Sequence, residues 1–167
     1  MIYRPTIMGE INTDQGLQFI WRVDLGRIPM TDALKKQGVN IDSLMYSACI
    51  GGDEEVNHLL ISCPYAHAIQ EAILSLYGIQ KCGLQSVSDL IHYATTWGRC
   101  PRLRSRFIAI GYILLWSLWK VRNKRRYRNA FASTSRVVEN IKSLTYLWIK
   151  YKGKKTLEEW SSPPLSV

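Results

Sequence analysis

A chain of 167 residues, 47% of them apolar and six of them tryptophan, can bury a real core, which excludes a disordered polymer. Charge is unevenly placed: residues 1–98 hold 6 Lys/Arg against 10 Asp/Glu, a balance of −4, while residues 99–167 hold 16 against 3, a balance of +13, together the stated +9. Such asymmetry points to one half that faces a polyanion or an acidic surface. The longest apolar stretch, Phe107 to Trp119, is 13 residues, whereas crossing a bilayer takes about twenty.

In chain order the elements read as helical. Asn12 or Thr13 can cap a segment in which Leu17, Ile20, Trp21 and Leu25 recur at helical spacing, ended by "RIP" at Arg27 to Pro29. Thr31 or Asp32 starts a short helix through Leu34, closed by Gly38. A loop containing Cys49, His58 and Cys63 follows, with a tight turn at Gly51-Gly52 and a helix start expected near Asp53. Pro64 suits the first turn of a helix whose stripe is Ile69, Ala72, Ile73 and Leu76, ended by Gly78. Ser86 with Asp89 resembles a capping box for the next helix, with Val87, Leu90, Ile91 and Ala94 as its apolar face.

Pro101 opens the longest helix, expected to reach about Asn129 and to run about 43 Å. Its middle, "FIAIGYILLWSLW", is apolar nearly all round and reads as core, Trp116 and Trp119 included. Ser133 to Ser135 offer the cap of a last helix with Val137, Ile141, Leu144 and Trp148 on its buried face. No segment alternates with period two. The expectation is a mainly α fold, a small helical domain over residues 1–155 with its basic half from about 99, and a disordered tail over 156–167. The start "MIYRPTIMGEI" has no basic region leading into an apolar run, so an intracellular location, nuclear or cytoplasmic, is expected.

Two constellations carry chemistry. Cys49, His58 and Cys63 are soft donors of the kind zinc takes, but a closed structural site wants four. A Cys-x2-Cys pair would put the fourth at Tyr46, whose phenol, with a pKa near 10, is a poor substitute for a thiolate. On spacing alone, buried apolar thiols at Cys49 and Cys63 explain the pattern as well. The second constellation is the basic run Lys120, Arg122, Lys124, Arg125, Arg126 and Arg128, with Tyr127 among them and Arg99, Arg102, Arg104 and Arg106 earlier on the same helix. These are ten cations between 99 and 128 without one acid. Arginine forks fit phosphate oxygens and Tyr127 can stack on an unpaired base. The plain alternative, a solvated helix end favoured by the dipole, accounts for any one of these cations better than for all ten.

The stretches "FIWRVDLGRIPMTDALKKQGV", "DEEVNHLL", "SCPYA" and "WGRCPRLRSRFIAIGYILLWSLWKVRNKRRY" together resemble the zinc-binding domain downstream of the polymerase in plant non-LTR retrotransposon reverse transcriptases, over roughly residues 17–152. The resemblance implies a zinc-knuckle-like loop between helices, with Cys49 as second knuckle cysteine, His58 as its histidine and Cys63 as its last cysteine. Zinc is the implied cofactor, and Tyr46 stands where the first cysteine belongs. Met30 before Thr31, and Gln37 before Gly38, also depart from the family pattern. It implies too that the chain is a fragment or domesticated remnant that carries a polymerase name by inheritance. No Tyr-x-Asp-Asp motif, phosphate loop or Gly-x-Ser-x-Gly elbow is present, so no enzyme activity is expected. The expected function is non-catalytic binding of RNA or DNA through Arg102, Arg104, Arg106, Lys120, Arg122, Lys124, Arg125, Arg126, Tyr127 and Arg128. The alternatives are a metal-free helical scaffold docking on an acidic protein, and a decayed reading frame without function.

Overall fold

The computed structural model describes residues 13–30, 35, 37–38, 55–80, 83–97 and 100–152. The short helix expected at Thr31 to Leu34, the loop with Tyr46, Cys49 and Gly51-Gly52, the helix start near Asp53 and the tail 156–167 lie outside the described residues. Among the described residues there are five α-helices, α1 Thr13–Asp24, α2 Pro64–Leu76, α3 Val87–Thr96, α4 Pro101–Arg128 and α5 Thr134–Lys152, a π-helix His58–Ser62, and no strand. The fold is mainly α, as the periodicity requires.

Helix α4 is the axis of the molecule. It packs against α1, α3, α5 and the π-helix, and α2 lies on α5. That explains its sequence: a helix contacted on several sides must be apolar all round, and Phe107 to Leu115 are buried except for half-buried Tyr112. Asn129 ends it in the left-handed conformation at φ 47°, a conformation asparagine tolerates better than most residues.

The expected stripes shift on two helices. Among the described side chains of α1, Phe19, Ile20 and Val23 are buried and Trp21 is exposed, as is Leu25 just past its end; the side chain of Leu17 lies outside the described residues. Phe19 sets that rotation: its ring meets Trp116 at 5.1 Å and Trp119 at 5.9 Å between centroids, on α4. On α2, Ile69 and Ile73 are buried as expected, but Ala66, Gln70 and Leu74 share their face, and Ala72 and Leu76 are exposed. Val137, Ile141, Leu144 and Trp148 of α5 are all buried, as their spacing predicts. Among the described residues no helix is long and apolar enough to cross a membrane.

Candidate functional site

The chain enters α2 through the π-helix, and the reason is local. Pro64 has no N–H, so the carbonyl of Leu60 lacks the donor that a continuing α-helix would supply four residues on. Gln70, buried on α2, supplies one instead: its Nε2 donates to the carbonyl of Leu60 at 2.6 Å and, more weakly, to that of Ile61 at 3.4 Å. The Cys63 N–H donates to the His58 carbonyl at 2.8 Å, closing the wide i→i+5 turn that sets Cys63 one turn beyond His58. A second tie runs to α3, where the side-chain oxygen of Asn57 accepts the Val87 N–H at 3.1 Å. The first turn of α3 is further held by the capping box, Asp89 N–H to Ser86 Oγ at 3.1 Å and Ser86 N–H to Asp89 Oδ2 at 2.8 Å. The Gln85 N–H, which donates to Asp89 Oδ2 at 3.0 Å, holds the Asp89 carboxyl below its ordinary range as the largest cause, followed by the Ser86 hydroxyl and the Ser86 N–H.

Of the three expected metal donors, Cys49 lies outside the described residues. Cys63 is 0% exposed, inside the apolar core, and His58 is half-buried with Nε2 shielded from solvent. Among the described residues no three His, Cys, Asp or Glu side chains come together as a metal site. The described residues alone therefore do not fit a closed zinc centre.

Against this geometry the comparison with known families is informative. Residues 14–69 match the family described as zinc-binding in reverse transcriptase. The matched segment thus takes in nearly all of α1, the π-helix with His58 and Cys63, and the first turns of α2. It stops short of α3, α4 and α5, so the basic half lies beyond it. No curated protein and no solved structure matches the chain.

The expected binding residues fall into two groups at opposite ends of α4, with the buried middle between them. Arg102 and Arg106 are exposed and Arg104 is half-buried at the N-terminal end. Lys120 stands 18 residues, five whole turns or about 27 Å, beyond Arg102 on the same side of the helix. Lys124, Arg126, Tyr127 and Arg128 are exposed at the C-terminal end, and Arg125 is half-buried. Arg122 departs from the expectation: it is 1% exposed, its guanidinium lies 4.9 Å from the centre of the Trp119 ring, and its Nη1 donates to Asn123 Oδ1 at 2.7 Å. It is packed inside because, two residues before Lys124, it falls on the other side of the helix.

Tertiary structure adds residues that the linear run does not include. Phe131, 68% exposed, carries the Arg125 guanidinium at 5.0 Å from its ring. Tyr65, two residues after Cys63, donates its hydroxyl to the Ala132 carbonyl at 2.7 Å, and its ring stands 6.1 Å from that of Phe131. Burial raises the Tyr65 phenol above 10, opposed by Arg125 and reinforced by Cys63. The sequence held a weak signal for this, an aromatic directly after a cationic helix end, in the segment "RNAFASTS".

Proposed function

We propose that this chain is a non-catalytic nucleic-acid-binding unit of retroelement descent, whose basic half grips the backbone of RNA or DNA. The observation that carries the reading is the C-terminal end of α4, where exposed Lys124, Arg126 and Arg128 stand with two aromatic rings, Tyr127 and Phe131, each 68% exposed. Cations for the phosphates and rings for unpaired bases are the two elements of a sequence-tolerant strand site. The other end strengthens it. Arg102, Arg104 and Arg106 sit in the first turns of α4 with no acid in the first turn, where the helix dipole disfavours positive charge, so the dipole does not explain them.

Titration against labelled single-stranded RNA and DNA tests the reading. Affinity should fall steeply between about 50 and 200 mM salt, and Arg126→Gln with Arg128→Gln should weaken it and flatten the salt slope. Binding indifferent to salt, or absent, overturns the reading in favour of docking on a protein.

Zinc at the turn would be held by Cys49, His58 and Cys63. With Tyr46 in place of a fourth ligand, the third thiolate of the set, it should bind far more weakly than at a closed structural site, which supplies roughly 10–16 kcal/mol. Metal analysis and chelation test this: a mild chelator should strip the zinc without unfolding the protein, and less than about a tenth of an equivalent on purified protein at micromolar concentration retires the metal.

A further inference from the structure

Between the C-terminal end of α4, the connection 129–133 and the first turns of α5 lies a cleft of about 390 Å³, within the range of small-ligand sites. Its lining grades from buried Ser117 and Val137 to exposed Lys124, Phe131, Arg136 and Asn140, with half-buried Lys120 between them. Three of the lining residues are cations and none is an acid. Ser117 is 3% exposed, and its Oγ has no hydrogen-bond partner among the described residues. A buried hydroxyl left unpaired costs stability unless a ligand completes it. The start of α5 adds its positive end: Ser133 Oγ caps it by accepting the Arg136 N–H at 3.4 Å, and Arg136 and Asn140 face the cleft. Phe131 stands at the rim with the Arg125 guanidinium on its ring.

We propose that this cleft seats a single nucleotide of a bound strand, its phosphate among Lys120, Lys124, Arg136 and the Ser117 hydroxyl and its base against Phe131. The proposal rests on the nucleic-acid reading and names the place where one unit of the strand is held. The cations select an anion, the apolar wall of Val121, Ala132 and Val137 accommodates the sugar, and the exposed ring offers a base a stacking face. It draws on residues, Ser117, Phe131 and Arg136, outside the linear basic run.

Two measurements on the intact chain test it. In the first, Phe131→Ala and the double variant Lys124→Gln, Arg136→Gln, all at exposed positions, should each weaken single-strand binding by about tenfold. If wild-type protein binds strands with the expected salt dependence while both variants stay within about twofold of it, the cleft is overturned and the strand-binding reading stands. The second measurement needs no strand: AMP at millimolar concentration should slow acylation of Lys120 and Lys124 more than adenosine does and more than inorganic phosphate does. Equal protection by AMP and adenosine removes the phosphate seat, and equal protection by AMP and inorganic phosphate removes the base contact; either overturns the proposal. AMP protection in a protein that binds no strand supports the cleft while sinking the broader reading.

Discussion

Cys100 stands at the N-cap position of α4, where the nearby backbone N–H groups of Leu103 and Arg102 hold its thiol below the ordinary 9.0, with the charges of Arg102 and Arg106 adding to the effect. A lowered pKa means that thiolate appears at lower pH, so alkylation of Cys100 should reach its half-maximal rate at a lower pH than that of a free cysteine model. Peptide mapping after brief iodoacetamide treatment at graded pH checks this. Cys63, fully buried, should stay unmodified until the protein unfolds. A titration midpoint for Cys100 at or above the model thiol would contradict the cap geometry. The same end of α4 thus offers a nucleophile and cations together, whereas Arg122 is occupied by the Trp119 ring and serves the interior.

Helix identity was legible from the sequence, whereas helix rotation was legible on α3 and α5, whose expected faces turn inward, and not on α1 and α2. Spacing alone places α2, α3, α4 and α5, since Pro64, Ser86, Pro101 and the serines at 133–135 are local signals whose physics does not depend on the rest of the chain. Which face turns inward depends on partners: the aromatic cluster of Phe19, Trp116 and Trp119 brings Phe19 in and leaves Trp21 out. The π-helix was illegible for a like reason, because it follows from a proline that removes one donor and a glutamine ten residues from Leu60 that replaces it. Of the candidate site, the basic run could be read in the sequence, but the cleft joins residues of two helices and a connection. The tie from Asn57 to α3 yields a test at this scale. Asn57→Ala takes the acceptor from the Val87 N–H, and should lower the unfolding free energy by about 1 kcal/mol in urea denaturation. Ser86→Ala, at the neighbouring cap, should cost about as much, and the two together should depart from additivity because both serve the first turn of α3.

At the scale of the molecule, the segment shared with the reverse-transcriptase family and the basic half are one packed body. The shared segment ends within α2 at residue 69, while the buried face of that helix continues through Gln70, Ile73 and Leu74 onto α5. A fragment of residues 1–69 should therefore fail to fold. It loses both the donor that completes the π-helix and the helix α4 against which Phe19 packs, and far-UV circular dichroism should show no cooperative melting for it where the intact chain shows one. A sharp transition in the fragment would mean that the shared segment is a domain by itself.

Tyr65 gives this unity a direction. It follows Cys63 by two residues, and its hydroxyl grips the strap that carries Phe131. A change at Cys63, whether by an ion, an oxidant or a repacked neighbour, would therefore fall two residues from the ring that holds this strap. The turn at His58 to Cys63 and the cleft beside Phe131 would then behave as the two ends of one lever.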